Sequence, residues 1–144
     1  MNALLHTSKR SAMRVKFFLI GLLAFSQLAF AQSNSIESIS ANQQGVNLIV
    51  KITLKNPLVK SPLGFSISNP ARIALDFADT SNGTGKSAID IGMGDLRNVN
   101  VVEATGRSRL VFNLNKSLNY ATTVEGNSVI VTIDGSGGDR KSVV

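Results

Sequence analysis

Apolar and polar residues alternate along most of this chain with a period of two, in short runs separated by glycine, proline and asparagine. Over residues 46–55, Val46, Leu48, Val50, Ile52 and Leu54 share one face, and Asn47, Lys51, Thr53 and Lys55 share the other, with Ile49 among them. Ten residues of such alternation put no coherent stripe on a helix, so the run predicts a strand. Asn69-Pro70 breaks the chain and biases it toward an extended form. In the strand predicted to follow, Ala71, Ile73, Leu75 and Phe77 oppose Arg72, Ala74 and Asp76. Further strands are expected over 35–40, 63–67, 88–91, 99–103, 109–115, 119–124 and 128–134. Ile36 and Ile39 are three apart, which is odd for period two and predicts an edge strand or a bulge in the first of these. Residues 79–86 read as a flexible polar loop.

The pattern returns about sixty residues later. The run from Gly106 to Leu114 echoes Gly45 to Ile52, the run 127–134 echoes 69–76, and Val99 to Glu103 parallels the first strand. About nine strands, no convincing helix and turns every eight to twelve residues predict an all-β fold. The expected architecture is a two-sheet β-sandwich with an internal twofold repeat, its sheets packed face to face over 32–134.

The two ends read differently. Lys9, Arg10, Arg14 and Lys16 precede an apolar stretch from Phe17 to Phe30, and Ala29-Phe30-Ala31 is a small-x-small cleavage site. Residues 1–31 are therefore expected to be a secretory signal peptide cleaved after Ala31, with Ala29 and Ala31 as its recognition residues. The apolar stretch falls short of the roughly 20 residues that span a bilayer. At the other end, 135–138 is a glycine-rich linker. Residues 139–144 have no structural logic and read as a non-native, adapter-derived tail, with the gene expected to continue past Gly138.

Removing the leader changes the charge. Four of the 15 basic residues leave with it, so 11 stand against 9 acids and the net charge falls from +6 to +2. The basic pI is a targeting feature, and no nucleic-acid partner is expected. The chain has no cysteine, and its one histidine, His6, lies in the leader. Disulfides, thiolate metal sites, Ser-His triads and thiol nucleophiles are excluded from the domain, and neither a metal nor a cofactor is expected. Gly83-Thr84-Gly85-Lys86-Ser87 looks like the end of a phosphate-binding loop, but that motif needs a glycine where Thr80 stands, and a strand rather than a helix follows. The aspartates sit at strand ends and turns, where they cap the chain. No enzymatic activity is expected.

Arginines supply the candidate chemistry. Arg72 and Asp76 share the outward face of one strand, and Arg107 and Arg109 that of another. Ordinary solvation and weak cross-strand ion pairs would account for them. Alternatively they form a polar face whose guanidinium forks bind carboxylates, such as the lactyl and peptide carboxylates of cell-wall muropeptides. Outward Asn47, Thr53, Asn113 and Thr132 would add hydrogen-bonding groups for a glycan.

The run Asn69-Pro-Ala-Arg-Ile-Ala-Leu-Asp-Phe77, then Arg107-Ser-Arg-Leu-Val-Phe-Asn-Leu114, then a tyrosine strand and a final Val-Ile-Val-Thr-Ile strand resembles the AMIN domain over nearly all of 36–134. AMIN domains stand at the N-termini of type IV pilus secretins and of N-acetylmuramoyl-L-alanine amidases. The resemblance implies a non-catalytic periplasmic module that binds peptidoglycan and localises its parent. The wording of the first motif and its place after the leader look most like a secretin, an outer-membrane ring. Pilus assembly and alignment proteins would then be further partners. The alternative is the targeting domain of an amidase whose catalytic part lies beyond Gly138. The family supplies no catalytic residues to this chain.

Overall fold

Two hairpins set the pattern of the molecule, which a computed structural model describes over residues 33–136. In the first hairpin, β1 (Asn34–Gln44) runs antiparallel to β2 (Asn47–Leu54), with Gln44 opposite Asn47. Gly45 opens the two-residue turn at a φ of 59°, which glycine adopts without steric cost. Val46, expected to lead the inward row, is instead a turn residue and 63% exposed. Leu48, Val50, Ile52 and Leu54 do point inward and are buried. The segment expected to be a leader, with Ala29 and Ala31, and the residues beyond Ser136 lie outside the described residues.

Eight strands follow: β3 (Leu63–Ser68), β4 (Ala71–Ala78), β5 (Thr80–Asn82), β6 (Ala88–Met93), β7 (Leu96–Ala104), β8 (Arg107–Leu114), β9 (Tyr120–Glu125) and β10 (Ser128–Ile133). The described residues thus form ten strands and no helix, in two five-stranded sheets ordered β5-β1-β2-β10-β9 and β3-β4-β8-β7-β6. The all-β sandwich expected from the pattern is what forms. The additional strand is β5, part of the segment expected to be loop. Asp79, at a φ of 49°, pivots the chain out of the second sheet, and Thr80 to Asn82 pair parallel to Asn34 to Ile36. Its polar sequence gives no apolar alternation to mark it; Thr80 is buried and Ser108 Oγ donates to its carbonyl at 2.8 Å.

The Ile36/Ile39 spacing is resolved by a bulge. Ile36 faces Leu54 while Ser38 faces Thr53, so Glu37 is the extra residue and Ile36 and Ile39 end on the same face. The second half repeats the device. Leu96 faces Leu114 and Asn98 faces Asn113, so Arg97 is extra and Leu96 joins Val99 inside. This copy therefore begins three residues before the expected Val99. The Ala104–Arg107 pair closes its hairpin as Gln44–Asn47 closes the first, which places the two copies 60 residues apart. In this register Asn47 corresponds to Arg107, one residue off the echo between Gly45 and Gly106. Ser128 opposes Thr53 as Arg72 opposes Asn113, so Ser128 corresponds to Arg72, two residues off the sequence echo.

The halves are interlocked. The β3–β4 hairpin extends the sheet of β7 and β8, and the β9–β10 hairpin extends the sheet of β1 and β2. Between the sheets, Val50, Ile52, Leu54, Val129, Val131 and Ile133 pack against Ile73, Leu75, Phe77, Val99, Leu110 and Phe112, all fully buried or nearly so. At about 25 cal/mol per Å² of apolar area, this layer supplies the main favourable term in a chain without disulfides. Tyr120, Thr122 and Val124 share the inward face of β9, facing Ile133, Val131 and Val129 across the ladder.

Candidate functional site

The four candidate residues lie on the outer face of the β3-β4-β8-β7-β6 sheet, and the ladder fixes their neighbours. One row across it is Ile67, Arg72, Asn113 and Asn98; the next is Phe65, Ala74, Val111 and Asn100. The third is Leu63, Asp76, Arg109 and Val102, and the fourth begins with Ala78 and Arg107. Arg72 and Asp76 share the face, as expected, but a whole row separates them, about 13 Å at 3.3 Å per residue.

Asp76 and Arg109 are direct cross-strand neighbours and spend their charge on each other. Arg109 donates from Nε to Oδ1 at 2.5 Å and from Nη2 to Oδ2 at 2.7 Å, a bidentate fork. Its guanidinium carbon lies 5.2 Å from the centroid of the Phe65 ring on the neighbouring edge strand. The hydrogen bonds from Arg109, helped by its charge and that of Arg107, hold the Asp76 carboxyl below the usual carboxylate range, against the opposing effect of burial. The same fork raises the Arg109 guanidinium further above its ordinary value. Arg109 is still 42% exposed and keeps its Nη1 edge free of Asp76, while Arg72 and Arg107 are exposed.

The outward hydrogen-bonding residues divide between the two faces. Asn113 sits on this sheet, where its Nδ2 donates to Asn98 Oδ1 at 2.6 Å. Asn47, Thr53 and Thr132 lie on the outer face of the opposite sheet. They are on the far side of the sandwich from the arginines, because alternation shows that a residue points outward without showing from which sheet. The strand β3 also departs from expectation in its orientation. Leu63, Phe65 and Ile67 face solvent on the arginine side, and Gly64, Ser66 and Ser68 take the other side of the edge strand.

One end of this sheet carries a depression of about 460 Å³ between the β3–β4 turn, the Arg97 bulge and the loop after β8. A smaller one of about 200 Å³ adjoins it below Ile67 and Arg72, sharing Ser68, Leu114 and Ser117. Arg97 and Lys116 line the larger hollow and are not among the residues that the sequence singles out. Arg97 Nη2 reaches the Leu114 carbonyl at 3.4 Å, and Lys116 Nζ lies 3.8 Å from Asp95 Oδ2. Their signal in the sequence is the Leu96/Val99 spacing, a copy of the Ile36/Ile39 irregularity with a charge inside it. Among the described residues, no group of three or more His, Cys, Asp or Glu side chains gathers as a metal site. The segment resembling a phosphate loop is a turn in which Asn82 Oδ1 accepts from Thr84 N and Oγ1, and the strand β6 follows it.

The family description of the AMIN domain matches residues 35–133, from the start of β1 to the end of β10. The chain belongs to the AMIN family. This AMIN domain is 39% identical over 92 residues to the fimbrial assembly protein PilQ of Pseudomonas aeruginosa. It is equally identical over 88 residues to the type IV pilus biogenesis and competence protein PilQ of Neisseria gonorrhoeae and of Neisseria meningitidis. The alignments cover 64% and 61% of this chain but only 11–13% of those proteins. No solved structure matches the AMIN chain at a significant level.

Proposed function

We propose that this AMIN domain is a non-catalytic, periplasmic peptidoglycan-binding module that localises a type IV pilus secretin. The observation that carries this reading is the family match across the whole sandwich, together with PilQ relatives. The geometry supports it through the outer face of the second sheet. Arg72 and Arg107 offer exposed guanidinium groups to carboxylates, and Asn98, Asn100 and Asn113 offer amides to a glycan. Arg109 is held rigid by Asp76 and Phe65 and presents its remaining N–H groups from a fixed position. The full-length parent would form a homo-oligomeric ring in the outer membrane and meet pilus assembly and alignment proteins there, while this module holds it to the wall.

Co-sedimentation of the full chain with purified sacculi tests the reading. The chain is expected to pellet with sacculi, and Arg72→Ala with Arg107→Ala to weaken binding several-fold without loss of fold. A chain that stays in the supernatant at every protein concentration would overturn it.

A further inference from the structure

The internal repeat provides a built-in comparison for the depression beside Arg97, because each group lining it has a counterpart at the corresponding end of the other sheet. The correspondence is fixed by matched bonds 60 residues apart: Lys55 N donates to Ser35 O at 2.9 Å, and Asn115 N to Asp95 O at 2.8 Å.

At the first end the chain stitches itself shut. Asn34 clasps the loop from both sides, donating from Nδ2 to Asn56 O at 3.0 Å and accepting at Oδ1 from Asn56 N at 2.9 Å. Asn127 Nδ2 caps the Leu54 carbonyl at 3.0 Å, and Leu58 N donates to Gly126 O at 3.3 Å. At the second end the clamps are missing from the sequence. Gly94 replaces Asn34 and Ala71 replaces Asn127, so neither position can close the loop, and the Leu114 carbonyl is met instead by Arg97 Nη2 at 3.4 Å. The hollow of about 460 Å³ lies there.

The charges change at the same positions. The bulge residue is Glu37 at the closed end and Arg97 at the open one. Asn56 becomes Lys116 and Ser128 becomes Arg72. Three cations thus surround an end from which two polar clamps have been removed. Asp95, which stands where the closed end has Ser35, forms a loose ion pair with Lys116 at 3.8 Å, too long for a hydrogen bond, so the three cations outnumber it. Ser68, Asn69, Asn115 and Ser117 add hydroxyls and amides around the rim.

We infer that this open end is a carboxylate-binding site, in which Arg97 and Lys116 take the charge and the surrounding hydroxyls and amides take the polar groups beside it. The inference rests on the wall-binding reading for its ligand and moves the decisive contact from the flat sheet face to the end of the sandwich. Two sources offer the carboxylate, the lactyl group of an amino sugar and the C-terminus of a short peptide.

The test follows backbone amides of the full chain by NMR during titration with N-acetylmuramic acid and, separately, with D-alanyl-D-alanine. Shifts are expected at Arg97, Asn115, Lys116 and Ser117 but not at Glu37, Lys55 and Asn56, and the probe that produces them identifies the source. Arg97→Glu with Lys116→Glu should abolish the shifts and lower sacculus binding at least ten-fold; the wild-type titration remains decisive even if that variant fails to fold. Absence of shifts with both probes overturns the site. Sacculus binding unchanged in a folded double variant also overturns it and leaves the wall reading intact. Local shifts in a chain that does not bind sacculi uphold the carboxylate site and remove the wall as its ligand.

Discussion

Asp76 shows how one side chain can belong to a polar face and yet be committed within the fold. Arg109 holds it from the neighbouring strand and Phe65 lies over Arg109 from the edge, so three strands are tied through one guanidinium. Because the folded-state pKa of Asp76 is lowered, the pair stabilises the fold above the ordinary carboxylate value of about 3.9. That contribution is lost as pH falls through the lowered value. Asp76→Asn is expected to lower the thermal midpoint at pH 7 and to shrink its fall between pH 5 and pH 2, as measured by circular dichroism. Gly64 makes a different residue-level demand. A Cβ there would lie 2.5 Å from the Tyr120 hydroxyl and 3.0 Å from Leu75 Cδ2. Gly64→Ala should therefore cost about 1–3 kcal/mol in denaturant unfolding, and less in a Tyr120→Phe background, where the hydroxyl is absent. Neither relation is legible in the sequence. Alternation assigns Asp76 and Arg109 to outward faces but gives no register between strands 33 residues apart, and Gly64 looks like any other small residue until Tyr120 is placed beneath it.

At the scale of elements, most strands are legible because each alternates over one buried face, which is why 46–55, 71–77 and 109–115 agree with the observed strands to within a few residues. The errors have physical causes. β5 is a three-residue polar strand held by pairing with β1, and Leu96 escapes the expected second copy because a bulge breaks the parity that marks a strand. Those bulges are structural requirements. Deleting Glu37 would turn Ile36, now fully buried, toward solvent or force the register to slip. A loss of about 1.5–3 kcal/mol is expected from urea unfolding, the worth of one buried isoleucine. The edge strand β3 carries no charge, and its Leu63, Phe65 and Ile67 are exposed, the composition of an edge open to unwanted pairing. Leu63→Lys places a cation directly opposite Asp76 and should reduce light scattering at high protein concentration, with stability changed by no more than about 0.5 kcal/mol.

The whole molecule is legible as a sandwich and as a repeat, but not as an exchange. Nothing in the order of strands states that β3–β4 lies beside β8 and β9–β10 beside β2, since that choice depends on which hairpins bury each other's flanks. One consequence is a prediction about fragments. A break in the exposed loop 83–87 leaves two pieces, each holding hairpins from both sheets and lacking their lateral partners. Isolated hairpins are marginal in water. Each piece alone should therefore show an unfolded circular dichroism spectrum, and mixing the two should restore the strand signal with one-to-one stoichiometry. The exchange also sets a timetable. The second sheet gains its full width only when β8 is available, and the first only when the final hairpin brings β10 beside β2. A chain emerging N-terminus first from any narrow passage, whether ribosome or membrane pore, stays threadable until most of it has come through, and its second sheet can close ahead of its first.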